Sequence, residues 1–167
     1  MTWTTQEIEE YCNTLAAQIG LDFDCPVIIN KRLTKTLGRV MNEPTPFGYY
    51  PSSLEISYRV AAHAKDEDVR AVIQHELAHW AVTIETQEPH GHDDVFKAMC
   101  KRLGCPHDTP QISIGYDVDE DTLYKYVVYC QDCDNKLYYS RASGVVKHPD
   151  WYGCGKCGGD LHVQQNW

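Results

Sequence analysis

The sequence predicts an α+β protein in which a small, mostly antiparallel sheet packs with three helices and a small unit of β-strands follows at the C-terminus. Three segments repeat apolar residues at helical spacing, and short β-branched or aromatic runs lie between the first two of these segments. Two Cys-x-x-Cys pairs near the C-terminus mark the additional unit. A length of 167 residues suits one domain with such an appendage.

The first helix is predicted to begin at a capping box, Thr4 to Glu7, and to end at Gly20. Four short runs with strand composition follow, at 27–29, 36–41, 48–50 and 54–60, and segments 42–46 and 51–53 divide the last three. These runs predict the sheet.

Two further helices are predicted downstream of the sheet. The acidic stretch Asp66-Glu-Asp68 favours the start of a long helix that runs to about Ile84. Another helix is expected from near Asp93 to Gly104, and residues 105–123 then connect to the C-terminal unit.

Charge is distributed unevenly along the chain, whose formal net charge is −9. Residues 1–121 contain 10 basic and 20 acidic residues, whereas 122–167 contain 5 and 4. We therefore predict two domains with this boundary, and the acidic total argues against coating nucleic acid by bulk electrostatics. The sequence contains neither an apolar run long enough for a membrane span nor a secretory signal at its start, so we expect a cytoplasmic protein with no membrane partner.

Four of the eight cysteines form two pairs, Cys130-x-x-Cys133 and Cys154-x-x-Cys157, with 20 residues between them. Each pair can bind one tetrahedral ion from a single tight turn, and in a reducing compartment metal binding is favoured over disulfides. Strand-like runs flank the pairs. The pattern predicts a zinc ribbon with one structural zinc, and we assign no chemistry to the remaining cysteines.

The long helix contains the motif His75-Glu-Leu-Ala-His79. Residues four apart lie about 40° apart around a helix, so both imidazoles can bind one ion while Glu76 reaches a water on it. From the residue frequencies of this chain, roughly 0.02 such motifs are expected by chance. The alternative is a pair of surface histidines without metal.

A catalytic zinc needs a third protein ligand and one open position. The extended pattern with Gly and a third His on the same segment fails, because Val82 and Glu85 stand at those positions. His90 and His92 remain as candidates. His92 is preferred because it immediately precedes the third helix, whose rigid start can fix a side chain.

The chain at this point resembles the SprT-like metalloprotease family, which includes bacterial SprT proteins and eukaryotic Spartan. The resemblance rests on His75-Glu-Leu-Ala-His79, on His92 with Phe96 four residues later, and on the four ribbon cysteines. It implies a zincin-like domain over 1–121 and a zinc ribbon over 122–167, with His75, His79 and His92 as ligands and Glu76 as general base. It also implies that segment 54–60 is the edge strand that pairs with an extended substrate.

The sequence departs from the family at Asp93, because the family commonly has Gly after the third His. Asp93 could cap the third helix, or it could add negative charge beside the metal.

The predicted function is zinc-dependent hydrolysis of peptide bonds in a protein or peptide substrate, with one catalytic and one structural zinc. Glu76 would take a proton from the zinc-bound water. A donor for the oxyanion is also expected, and the sequence leaves four tyrosines open: Tyr49, Tyr50, Tyr58 and Tyr116.

Basic and aromatic residues alternate in the ribbon, a composition that suits contact with phosphates and stacking on bases. The candidate residues for nucleic-acid binding are Lys136, Tyr138, Arg141, Lys147, Trp151 and Lys156. The resemblance to Spartan, whose substrates are proteins attached to DNA, favours DNA as a partner. Equally, the aromatic residues could fill the ribbon core. The alternative function is a SprT-like zinc protein without turnover that serves as a nucleic-acid-binding or adaptor module.

Overall fold

A computed structural model describes residues 2–112, 121 and 124–167. The chain divides into two compact units, Met1–Tyr116 and Asp117–Trp167. The predicted boundary between residues 121 and 122 adjoins residues outside the described part, so it stays a prediction.

The first unit contains helices and one sheet. Its helices are α1 (Thr5–Gln18), α2 (Tyr58–His63), α3 (Asp66–Thr86) and α4 (Asp94–Leu103), and its strands are β1 (Val27–Asn30), β2 (Gly38–Thr45) and β3 (Gly48–Ser57). The α+β class is confirmed. The predicted helices correspond to α1, α3 and α4, while α2 was not predicted.

Local sequence explains how these helices begin and end. Thr4 and Glu7 form the predicted capping box, in which each side chain accepts a hydrogen bond from the other residue's backbone N–H. The acidic first turn of α3 lies at the positive end of the helix dipole. α3 runs two residues beyond Ile84, to Thr86, and its C-cap residue Gln87 adopts a left-handed φ of 59°.

The sheet has the order β1-β3-β2, so β3 is the central strand. β3 is antiparallel to β2 and parallel to β1. The expectation that segment 54–60 is an edge strand is therefore wrong, because its residues up to Ser57 are covered on both sides and the rest begins α2. Among the described strands, the edge nearest to α3 belongs to β2.

The tip of the β2–β3 hairpin is fastened to the end of α3. The backbone N–H of Tyr49 donates to the carbonyl oxygen of Gln87 at 2.7 Å. Gly48 has a φ of 131°, and a Cβ there would lie 2.5 Å from the same oxygen, so only glycine fits this approach. The contact joins β2, through its hairpin, to the loop that follows α3.

The core of this unit lies between the sheet and the helices. Leu54 and Ile56 of β3 and Ile73, Leu77 and Trp80 of α3 are fully buried. Burying such side chains supplies the main driving force for folding. This packing fixes α3, which carries the His-Glu-Leu-Ala-His motif, against the sheet.

The second unit is a small antiparallel sheet of order β5-β4-β6. Its strands are β4 (Tyr126–Cys130), β5 (Lys136–Tyr139) and β6 (Leu161–Gln165), and a short helix α5 (Gly144–Lys147) precedes a 3₁₀ turn at Pro149–Trp151. The strand-like runs predicted beside the cysteine pairs are present as these three strands.

No helix in the described ranges has the length and apolar character that crossing a bilayer requires.

Candidate metal centres and active-site cleft

Three histidine side chains of the first unit converge on one point. His75 and His79 lie one turn apart on α3, and His92 lies in the loop before α4. The Nε2 atom of His92 is 3.0 Å from Nε2 of His75 and 3.2 Å from Nε2 of His79. Ligand nitrogens around a tetrahedral zinc are separated by about 3.3 Å, given Zn–N bonds of ~2.0–2.1 Å. The cluster could therefore hold a metal ion.

The protonation state of these rings suits metal binding. Burial and the neighbouring His79 and His92 lower the pKa of His75 to about 4. Burial and His92 likewise lower the pKa of His79 to about 4. Both rings are therefore neutral near pH 7 and have a lone pair available for a cation.

The ring of Phe96 forms one wall of the histidine cluster. It stacks on His79 with centroids 4.2 Å apart, and it contacts His75 at 5.1 Å and His92 at 4.9 Å. Phe96 is fully buried on α4. The packing of α4 against α3 thus restricts the orientation of all three imidazoles.

Glu76 lies beside the cluster and is only 7% exposed. Its side chain packs against β2 at Gly38, where an added Cβ would come within 2.8 Å of Cγ of Glu76. Burial raises the pKa of Glu76 to about 8. A cation bound nearby would favour the ionised carboxylate, the form that can accept a proton.

The histidines and Glu76 line a cleft of about 410 Å³. One wall is β2, in which alternate residues Gly38, Val40 and Asn42 share a face. The opposite wall is α3 and the loop that carries His90 and His92. No described strand covers the outer edge of β2, so its backbone could pair with an extended peptide.

Three of the four predicted oxyanion donors do not lie in the described part of this cleft. Tyr49, Tyr50 and Tyr58 are absent from its described lining, and Tyr116 lies outside the described residues. The hydroxyl of Tyr50 instead donates to Asp24 at 2.6 Å. Sequence reasoning missed other lining side chains, such as Lys35, because only the tertiary fold brings them to the cleft.

Asp93 caps α4, as the first of its two predicted roles requires. Its Oδ1 accepts the backbone N–H of Phe96 at 3.1 Å. Its Oδ2 lies 2.7 Å from Nδ1 of His90. Hydrogen bonds from His90 and from the Phe96 backbone lower the pKa of Asp93. His90, the alternative third ligand, is thus engaged with Asp93, while His92 joins the cluster.

The four paired cysteines of the second unit also converge. Sγ of Cys130 is 3.5 Å from that of Cys157, and Sγ of Cys133 is 3.6 Å from that of Cys154. Tetrahedral zinc with four thiolates separates its sulfurs by about 3.8 Å, given Zn–S bonds of ~2.3 Å. This cluster could hold a second metal ion and is consistent with a zinc ribbon.

Backbone amides donate hydrogen bonds to two of the cysteine sulfurs in this cluster, Cys130 and Cys154. The amide of Asp132 donates to Sγ of Cys130 at 3.4 Å. The amides of Cys157 and Lys156 lower the pKa of Cys154 to about 6. Such turns, with amides aimed at sulfur, are the ligand arrangement expected of a ribbon.

Three of the six ribbon residues predicted to bind nucleic acid already bond to carboxylates. Lys136 and Tyr138 both bond to Asp121, and Lys156 pairs with Asp134 at 2.7 Å.

The other three, Arg141, Lys147 and Trp151, are exposed. Trp151 is 72% exposed and stacks on His148 with centroids 4.0 Å apart. It is therefore not part of a ribbon core.

Comparison with known proteins gives the family. The model of the SprT-like family matches residues 5–115. A Protein SprT-like of Oceanobacillus iheyensis is 30% identical over 138 residues, covering 81% of this chain and 79% of that protein. A Protein SprT-like of Bacillus cereus is 26% identical over 93% of both chains, and one of Staphylococcus saprophyticus is 25% identical over 87% and 86%. No solved structure matches significantly. The family match and this geometry together show that the chain belongs to the SprT-like family.

Proposed function

We propose that the protein is a zinc-dependent metallopeptidase. The observation that carries this proposal is the convergence of the His75, His79 and His92 Nε2 atoms beside the buried carboxylate of Glu76, inside an open cleft. Three imidazoles leave one position of a tetrahedral ion for water or substrate, which is the arrangement of catalytic zinc sites.

Glu76 is the proposed general base. Bound zinc would supply a Lewis acid that lowers the pKa of a water molecule and polarises the substrate carbonyl. Glu76 accepts the proton of the attacking water and then passes it to the nitrogen of the leaving amine. Its packing against Gly38 supports this role, because it restricts the positions open to the side chain.

The substrate is proposed to bind as an extended strand along β2. The uncovered edge of this strand offers backbone N–H and C=O groups to a peptide, and main-chain pairing of this kind tolerates many sequences. The peptide would then run between β2 and α3, so that one carbonyl faces the histidine cluster.

We further propose that DNA-associated proteins are among the substrates and that the ribbon contacts DNA. The support is the exposed stack of Trp151 on His148, next to Lys147, since such aromatic rings can stack on unpaired bases. Lys136 and Lys156 are already paired with carboxylates. The contact is therefore expected to be weak and salt-sensitive.

The second candidate is an adaptor without turnover that binds nucleic acid through the ribbon. The exposed Trp151 favours binding but does not require catalysis. A buried Glu76 beside an open metal site favours the peptidase, because an adaptor needs no base there.

The test is casein cleavage and autocleavage by zinc-loaded wild type and by Glu76→Gln. The variant keeps the shape of the side chain but cannot accept the proton, so we expect activity to fall by at least 10²-fold with zinc content unchanged. Glu85→Gln is the matched control, because it changes a carboxylate on the same helix that pairs with Arg102 at the surface. Equal residual activity in wild type and Glu76→Gln would refute the peptidase and leave the adaptor.

A further inference from the structure

Asp93, the residue that departs from the family pattern, lies at the start of a chain of hydrogen bonds that ends on His79. Its Oδ2 accepts from Nδ1 of His90 at 2.7 Å. The carbonyl oxygen of His90 in turn accepts from Nδ1 of His79 at 3.1 Å. Asp93 Oδ1 is occupied separately with the backbone N–H of Phe96. One carboxylate therefore links the first turn of α4 to the loop that faces His79.

The last bond in this chain determines which nitrogen of His79 carries the proton. A carbonyl oxygen only accepts hydrogen bonds, so Nδ1 must be the protonated nitrogen and Nε2 keeps its lone pair. That lone pair faces His92, where the metal is proposed to bind. Nδ1 of His75, by contrast, is buried without a partner among the described residues. His79 is thus the ligand on α3 whose tautomer the surrounding protein sets.

The position of the His90 carbonyl needs support, because it belongs to a loop without regular structure between α3 and α4. The hydrogen bond from Nδ1 of His90 to Oδ2 of Asp93 links the two ends of the four-residue segment that contains His92. Without it, the carbonyl could turn away and leave His79 free to adopt either tautomer.

We propose that Asp93 is a positioning residue, which holds His79 in its metal-binding tautomer through His90. This inference rests on the proposed metal centre, and it concerns Asp93, a residue that is not among the described lining of the cleft. Outer partners of ligating histidines commonly change metal affinity by about 10–100-fold. We expect an effect near the lower end, because Asp93 acts through an intermediate residue.

Asp93→Ser separates this role from helix capping. Serine caps helices about as well as aspartate, so it retains the bond to Phe96 but has no second oxygen for His90. His90→Ala removes the other partner and leaves the cap intact. Asp93→Thr also has a single side-chain oxygen for the cap, and it serves if Asp93→Ser unfolds. Glu85→Gln is the control, since it breaks a surface ion pair between α3 and α4 of the same 2.7 Å length.

The experiment measures cobalt(II) binding by visible absorption and the tautomer of His79 by ¹⁵N NMR of the metal-free full-length protein. Cobalt at the ribbon shows thiolate charge-transfer bands, so the histidine site is observed separately. We expect about tenfold weaker binding at the histidine site in Asp93→Ser and in His90→Ala, no further loss in the double variant, and an Nε2-protonated fraction of His79 that wild type lacks.

Unchanged cobalt affinity and an unchanged tautomer in both single variants would overturn the positioning role. An equal loss of cobalt affinity in the control Glu85→Gln would also overturn the positioning role. Failure of the proposed function gives a different result: wild type would bind cobalt at the histidines and show the expected tautomer, yet cleave no peptide.

Discussion

Replacement of Gly38 by alanine tests whether the packing of β2 against α3 positions Glu76, the proposed catalytic base. The new Cβ would lie 2.8 Å from Cγ and 3.2 Å from Cδ of Glu76, whereas ordinary contact begins near 3.4 Å. The same Cβ would lie 3.1 Å from the carbonyl oxygen of Glu55, so backbone crowds it as well. Glu76 must therefore move by about 0.6 Å or more.

Two consequences follow from this displacement. Overpacking of this kind costs about 1–3 kcal/mol in the free energy of unfolding. Misplacement of a catalytic group by about 1 Å can cost 10²-fold in rate, so we expect kcat to fall by one to two orders of magnitude. The three atoms nearest to the added Cβ belong to Glu76 and Glu55 rather than to a histidine, so zinc content should stay the same.

The assay combines peptide turnover, zinc analysis and thermal unfolding of the same preparation. Gly155→Ala is the control for the glycine-to-alanine change, because its added Cβ meets nothing within 4 Å. If Gly38→Ala folded, bound zinc and cleaved peptide at the wild-type rate, the assignment of Glu76 as a base positioned by β2 would be wrong.

Three further predictions concern the metal sites and the ribbon. His92→Ala should reduce bound zinc from two ions to one per chain, because only His75 and His79 remain as ligands at the histidine site. Metal analysis that still finds two ions would contradict the three-histidine site. Cys130→Ser should unfold the ribbon, because few of its described side chains are buried and its fold depends on the metal. The histidine site should keep its ion. Far-UV circular dichroism and metal analysis measure these outcomes, and loss of both ions would contradict two independent sites. Trp151→Ala should weaken the binding of single-stranded DNA by about tenfold in fluorescence anisotropy, because base stacking contributes ~1–3 kcal/mol. Lys156→Gln is the control and should change the affinity little, because this lysine is already paired with Asp134. Equal affinities of wild type and Trp151→Ala would exclude stacking.

Features encoded by local spacing could be predicted from the sequence. His75 and His79 share a helix face because they are four residues apart, and the cysteine pairs form turns for a similar reason. Spacing alone leaves His90 and His92 as candidates for the third ligand. The position of His92 immediately before α4 favours it, and its ring lies beside those of His75 and His79.

Features that depend on strand order could not be predicted in this way. The parallel pairing of β1 with β3 joins segments more than twenty residues apart, and no local pattern shows that it places β3 at the centre of the sheet. Chemistry alone makes the tyrosines candidates for stabilising the oxyanion. Only the tertiary fold reveals that the hydroxyl of Tyr50 donates to Asp24 instead. Aromatic and β-branched residues at 58–60 favour a strand, but tertiary packing places them in α2.

The bond between Tyr49 and Gln87 gives the cleft a fixed end. Because Gly48 leaves no room for a side chain at this point, a substitution that adds a Cβ would push the hairpin away from the end of α3 and loosen the joint between the two walls. The separation of β2 from α3, and with it the width of the cleft, therefore depends on a glycine that is not itself part of the described lining of the cleft.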